Sequence, residues 1–457
     1  MLFSRRLARL ASPLLAASVL VGALPALPAA GAGPVRVVGR EVATSVAGSR
    51  ELALPLTASH VAVHWAGDPE ASIRLAFSSD GQSYGPPEAV EHDEAGGHDE
   101  TETYGAVTWT SGARFVRITS DRPIARLSVV AINSTGASAG SGTIVQAAVQ
   151  QPAVISRAGW GADESLRFDS SGNELWPPDF HPIQKLIVHH TAGKNGDPNP
   201  AATVRAIYYY HAVTRGWGDI GYNFLIDEAG RVYEGRYSRP YASGEIPTGE
   251  DTSKNGVVGA HVAGYNSGTV GIALLGTLTD QDAAPGARAA LEQLLAWKAE
   301  RHAIDPLGSG TYINPVTGTK RDMANISAHR DLAATECPGG TFYSTFPALR
   351  QAVAARIAGS TTKTVPGAPV LTASTPTSGK GVLLSWTVPP DGGSPITEYR
   401  VLRLKSGSFV RIATLGASKT SYRDTSTKRG RTYTYVVRAV NGIGVGPRSN
   451  EASAKAR

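Results

Sequence analysis

The segment HRDLAATEC, running from His329 to Cys337, contains the only cysteine among 457 residues. A single cysteine closes no intramolecular disulfide, and a lone exposed thiol is a liability outside the cell. A metal ion removes the difficulty, because thiolate sulfur and imidazole nitrogen are both good zinc ligands. A catalytic zinc takes three protein ligands and leaves its fourth position to water. His329 and Cys337 can supply two of the three, and a histidine of VHHT, Val188 to Thr191, the third. Any fold that uses this set must bring the end of an apolar strand against a segment far along the chain.

The start of the chain bears on compartment. Arg5, Arg6 and Arg9 precede an apolar run from Leu14 to Leu24, followed by Ala29-Ala30-Gly31-Ala32. This is the pattern of an export signal, too short for a comfortable membrane span, and residues 1–32 are read as a signal peptide. No later segment approaches about 18 uninterrupted apolar residues, so no transmembrane anchor is expected. The reading is a secreted monomer with no nucleic-acid partner. The length allows two to four domains, and the Gly- and Pro-rich, weakly charged composition favours strands and turns over long helices.

From 35 to 133 the apolar residues alternate: Val61, Val63 and Trp65; Ile73, Leu75 and Phe77; Val116 and Ile118; Leu127 and Val129. Period-2 runs broken by Gly, Pro, Asp and Ser predict short antiparallel strands in a β-sandwich. An acidic loop from Glu88 to Glu102, with His92 and His98, reads as solvated or cation-binding. Residues 134–153 have the composition of a linker. In the region 154–358, Leu186-Ile187-Val188 reads as a buried strand leading into His189, with further strands at Tyr222 to Ile226 and Val270 to Leu275. Helices are predicted at Ala201 to Val213 and Arg288 to His302. A second linker, 359–367, precedes a C-terminal segment, 368–457.

Seven motifs in the central region occur in the order of a known family: SRAGWG at Ser156, IVHHTA at Ile187, GWGDIGYNFLID at Gly216, VYEGR at Val232, GAHVAGYN at Gly259, VGIALLGT at Val270 and AHRDLAATECPG at Ala328. The run resembles the zinc amidases that include the peptidoglycan recognition proteins, which cut N-acetylmuramoyl-L-alanine bonds. The resemblance implies an α/β domain, a mixed central sheet flanked by helices. It implies Zn2+ held by His189, His329 and Cys337, His190 being sent to the opposite face by strand alternation. It implies Tyr222 and Thr335 as donors to the oxygen that gains charge during amide hydrolysis. Muramyl peptide would be contacted by His211, His261, Trp217 and Asn266, although either histidine could instead buttress the sheet. Asp219 and Trp160 read as structural. Some relatives carry a glutamate on the central strand, where this chain has Ala273. Glu234 is available as a base, or it pairs with Arg236 or caps backbone.

The C-terminal stretches LLSW ending at Trp386, DGGSPITEYRV from Asp391 and GRTYTYVVRAVNGIG from Gly430 resemble a fibronectin type III module. Trp386 would fill its core, and Tyr433 would tie its hydroxyl to nearby backbone. From Gly367 to Arg457, five lysines and nine arginines stand against four carboxylates, a formal +10 in a chain of +6 overall. Such asymmetry suits either an anchor for anionic wall polymers or a basic spacer. Three functions remain open at this point: a wall amidase, a wall receptor of the same fold without catalysis, and an adhesin with a structural metal. Non-catalytic relatives typically lose the cysteine, and a structural zinc usually has four protein ligands. Both considerations favour the amidase.

Overall fold

The computed structural model describes residues 34–93, 101–136, 149–361 and 364–457. The expected export signal, His98 and residues 137–148 of the expected linker lie outside the described residues.

The N-terminal region forms seven strands: β1 (Val38–Val46), β2 (Ser49–Ala66), β3 (Ile73–Ser78), β4 (Glu88–Ala89), β5 (Thr103–Tyr104), β6 (Thr108–Ser120) and β7 (Ile124–Asn133). They join in one antiparallel path, β1-β7-β2-β6-β3-β4, with β5 on β2, rather than in two separate ladders. Register shifts in β2 between Ala53 and His60 bend the sheet, as bulges do. One face closes on Val61, Val63, Trp65, Ile73, Leu75, Val116, Ile118, Leu127 and Val129. These are the alternating residues of the sequence pattern.

The residues between them are buried too. Ala62, Val130 and Ile132, with Val37 and Val107, belong to a cluster containing Val204, Ile207, Tyr208 and Tyr210 of the central region. Four of these come from a helix, α2 (Pro200–Tyr209), and its continuation, which follow a short first turn, α1 (Arg157–Trp160). The central sheet has strands β8 (Val154–Ile155), β9 (Lys185–His190), β10 (Phe224–Ile226), β11 (Val232–Glu234), β12 (Thr269–Leu274) and β13 (Ile326–Ala328), in the order β13-β9-β12-β10-β11-β8. All neighbours are parallel except β10 and β11. One face buries Leu186, Val188, Phe224 and Ile272 against α3 (Pro285–Arg301) and α4 (Phe346–Thr361) through Leu291, Leu294, Leu295, Leu349 and Val353. The other presents Leu225, Tyr233 and Ala273 to α2. The layers therefore run α3 and α4, central sheet, α2, N-terminal sheet, with no solvent gap at α2.

Polar groups seal this junction. His60 Nε2 lies 2.7 Å from Thr203 Oγ1, and Ser134 Oγ donates to the Ala202 carbonyl at 2.8 Å. Buried Arg205 donates to the carbonyls of Ser134 and Trp160. Gly39 of β1 makes room for Tyr209, since a Cβ there would fall 2.2 Å from its ring. The stretch expected as a linker thus begins inside the packed interface, with Ser134 fully buried.

At the C-terminus, β14 (Leu371–Ser374), β15 (Val382–Trp386) and β18 (Ser421–Asp424) form one sheet. The second contains β16 (Ile396–Lys405), β17 (Ser408–Gly416), β19 (Thr432–Asn441) and β20 (Ala452–Lys455). Trp386, Tyr399, Val401, Tyr435 and Val437 fill the space between them. The Lys428 N–H donates to the Tyr433 hydroxyl at 2.9 Å, the expected corner.

The junction at α2 requires a neutral His60. Burial, with Arg205 acting in the same direction, lowers its pKa from 6.5 to about 3. The unfolded chain takes up this proton near 6.5 and the folded chain near 3. The stabilisation is therefore whole above 6.5 and declines as pH falls toward 3. His60→Gln should remove a slope on the order of 1.4 kcal/mol per pH unit in that window. Urea unfolding between pH 7 and pH 4 measures it, and identical slopes for both proteins would contradict the assignment.

Candidate functional site

Strand β9 carries the site because its alternation serves two purposes. Leu186, Val188 and His190 face the α3 and α4 side, where the His190 imidazole accepts from the Leu278 N–H. Ile187 and His189 face the other way, toward a second small core and the cluster of polar rings. His190 still contributes from its backbone, whose N–H points at Cys337 Sγ over 3.4 Å.

His329 and Cys337 arrive from the loop after β13. A short 3-10 turn, His329 to Asp331, presents the first. Asp331 braces the turn by accepting from the Ala328 N–H at 2.8 Å and the Tyr343 hydroxyl at 2.6 Å. The loop closes with an Arg330 N–H bond to the Cys337 carbonyl. Donor atoms of His189, His329 and Cys337 all lie within 4.8 Å of one another, and all three residues are buried.

A chain of hydrogen bonds fixes the protons. Thr269 Oγ1 donates to the Tyr265 carbonyl at 2.6 Å, so it accepts from His261 Nε2 at 3.3 Å. His261 Nδ1 is then bare and accepts from His189 Nε2–H at 3.1 Å. This leaves a lone pair on His189 Nδ1, which faces Cys337 Sγ at 3.8 Å. Such an outer partner orients a ligating imidazole and raises its basicity. Gly271 makes the relay possible, for a Cβ there would fall 2.3 Å from the His261 ring.

The electrostatics agree with ligation. Burial holds His189 well below the usual histidine range, with His329, His261 and His190 adding to the effect. Burial also lowers His261 to about 3 and His329 to about 4. The imidazoles are neutral at pH 7, as metal binding requires. His329 Nδ1 is buried with no hydrogen-bond partner among the described residues, a cost that coordination would relieve. Two imidazoles and one thiol, one ring nitrogen orphaned and another held bare, fit a zinc ion.

Tyr222 lies against this cluster, its ring 5.6 Å from that of His189 and 5.8 Å from that of His211. Its loop is fixed by Asp219, which is fully buried and accepts from Arg157, Arg236 and the Ile220 and Tyr237 N–H groups. Burial would raise the Asp219 pKa, but the Arg157 and Arg236 guanidiniums outweigh it and hold the carboxyl below its usual value. Thr335 is half-buried, and its hydroxyl oxygen accepts from the Cys337 N–H at 2.9 Å.

The remaining expected residues are placed as follows. His261 is fully buried beneath His189 and is committed at both nitrogens, so it buttresses the site instead of lining a groove. His211 is likewise buried between Asp93 and the Gly221 N–H. Asn266 uses its Oδ1 to accept from the His261 and Val262 N–H groups, bracing a turn. Trp217 is half-buried, with its ring 4.8 Å from that of His211. Glu234 accepts from the Arg157 N–H and not from Arg236; burial raises its pKa to about 7. Trp160 is fully buried and donates to the Glu234 carbonyl. Asp93, Thr269, Gly271 and Asp331 were not singled out in the sequence.

Residues 179–340 match the family model described as N-acetylmuramoyl-L-alanine amidase, and residues 367–455 that of the fibronectin type III domain. Peptidoglycan-recognition protein SC1a/b of Drosophila simulans is 33% identical over 188 residues, covering 41% of this chain and 80% of the relative. Human N-acetylmuramoyl-L-alanine amidase is 31% identical over 193 residues, 40% of this chain and 27% of the human protein. Among solved structures, Drosophila PGRP-LB is 27% identical, covering 42% of this chain and 90% of the other, with a TM-score of 0.30.

Gly271→Ala tests the space reserved for His261. Overpacking of this kind costs about 1–3 kcal/mol, so the urea midpoint should fall. An unchanged midpoint would mean that the imidazole moves aside freely.

Proposed function

The chain belongs to the peptidoglycan-recognition protein family, and on that footing we propose that it is a secreted, zinc-dependent N-acetylmuramoyl-L-alanine amidase acting on peptidoglycan. The observation that carries this reading is the buried set His189, His329 and Cys337, with the His329 Nδ1 lacking a hydrogen-bond partner among the described residues. A receptor that only binds wall has no use for three clustered metal donors and a relay that keeps one of them bare.

When bound, zinc would lower the pKa of its water toward about 7 and polarise the carbonyl under attack. The chain's own residues supply the rest. His261 and Thr269 hold the His189 lone pair toward the ion. Tyr222, packed on His189, donates to the carbonyl oxygen as it gains charge, and Thr335 donates beside it. Proton transfer falls to this set, because Ala273 sits opposite His189 on β12 and brings no carboxylate. Glu234 serves the backbone of Arg157 instead. The basic and apolar residues of 1–32 support export, and Trp217 and Asn266, each half-buried, are the expected residues still open to a muramyl peptide.

The C-terminal module supports a second role, as an anchor for anionic wall polymers. All five of its lysines and six of its nine arginines are exposed, whereas Arg403 is buried in a pair with Asp424 at 2.6 Å. Screening tests this, since the Debye length falls from about 10 Å at 0.1 M salt to about 3 Å at 1 M. Full-length protein should leave intact walls as salt rises. A chain ending before Gly367 should be retained less at low salt while cleaving a small soluble muramyl peptide at the same rate. Equal retention of both at every salt concentration makes the module a spacer.

Digestion of purified sacculi should release new L-alanine amino termini without new reducing ends; reducing ends alone would indicate a glycosidase, and neither product a receptor. Tyr222→Phe should keep its zinc and lose roughly 10²- to 10³-fold in rate, the usual effect of removing one such donor. Cys337→Ser should lose zinc and activity together. Metal content of the purified variants separates the two roles, and zinc loss in Tyr222→Phe would make Tyr222 structural.

A further inference from the structure

One side chain of the N-terminal sheet reaches the candidate site. Asp93, in the acidic stretch after β4, places Oδ2 3.0 Å from His211 Nε2 and 3.0 Å from Arg215 Nη1. Its own N–H donates to the Tyr104 carbonyl at 2.8 Å, tying it to β5. The Arg215 guanidinium is held over the rings of Tyr104 and Trp217, 4.6 and 4.2 Å from their centroids, an arrangement that favours the cation. On the far side of the imidazole, His211 Nδ1 accepts from the Gly221 N–H at 3.1 Å.

These contacts leave one tautomer. An Nδ1 that accepts is bare, so the ring proton sits on Nε2, where Asp93 takes it as a hydrogen bond. Without the carboxylate, either a buried N–H loses its acceptor or the proton moves to Nδ1 and the Gly221 N–H loses its own. Gly221 has little freedom to adapt, because a Cβ there would fall 2.4 Å from the Ala260 carbonyl oxygen. The next residue is Tyr222.

We infer that Asp93 is a positioning residue, which holds His211 in the tautomer that fixes Gly221 and thereby sets where Tyr222 presents its hydroxyl to the muramyl amide. The inference rests on the amidase reading for its consequence in rate. It makes the N-terminal sheet a working part of the site, in place of a separate wall-binding accessory. The charge of Asp93 is also felt at the donor cluster, where it opposes the larger effect of burial on His329.

The test compares full-length wild type, Asp93→Ala and Asp93→Asn. Asp93→Ala should lower kcat on a soluble muramyl peptide about tenfold or more, as misplacement near a reacting group does, with KM within about twofold. Asp93→Asn should recover part of the rate, because its amide oxygen still accepts from Nε2. Nitrogen-15 NMR of the His211 ring should report Nε2–H in wild type and mixed tautomers in Asp93→Ala, with and without metal. Unchanged kcat with an unchanged tautomer overturns the inference. A rise in kcat also overturns it, since the carboxylate would then block the groove. If wild type itself fails to hydrolyse the peptide, the amidase reading falls, and the tautomer alone decides the place of Asp93.

Discussion

Helix α2 has no face to give to water, and the architecture follows from that. Eight of its ten residues are buried, some against the central sheet and others against the N-terminal one. A helix that is apolar on one side only would have allowed the N-terminal sheet to swing on a tether. Here Val204, Ile207 and Tyr208 share a core with Val130 and Ile132, each such residue adding about 1.5–3 kcal/mol when buried. The two sheets are thereby fixed in register. Only in that register can an acidic stretch from residue 93 meet a histidine from residue 211.

The site obeys a second rule, that buried polar groups are satisfied or have a purpose. The carbonyl of Tyr265 is an obligate acceptor, and its influence passes through Thr269 and His261 to the lone pair of His189. Asp219 and Asp331 perform the same service for the two loops, each by collecting donors from backbone and side chains. His329, a member of the donor cluster, keeps a buried Nδ1 with no hydrogen-bond partner among the described residues.

Much of this was legible in the residues. Period-2 alternation located the N-terminal strands, because side chains on successive residues must face opposite ways. The lone cysteine pointed to the donor cluster with His189 and His329, and strand alternation separated His189 from His190. The fate of Tyr433 followed from a local bond over five residues. The rest depended on long-range contact, which pattern does not encode. The N-terminal strands were read as a β-sandwich of their own because Ala62, Val130 and Ile132 look like ordinary strand residues until a helix covers them. His211 and His261 were read as lining a groove or buttressing the sheet, and Asn266 as lining the groove; their partners, Asp93, Thr269 and the backbone at 261–262, could be recognised only in three dimensions. Gly271 gave no signal, since the need for an absent Cβ appears only once an imidazole lies against it.

The shared core at α2 also sets which parts of this protein can be exchanged. The order of modules along the chain invites a division into beads, a central domain between interchangeable ornaments. By that view the cut would fall in 134–153, yet Ser134 is already interior and Arg205 grips the carbonyl beside it. The portable unit is instead the whole of 34–361, with the N-terminal sheet counted as part of the unit that carries the site. The C-terminal sandwich has a core of its own, and it is the piece that recombination or engineering can replace without opening the other.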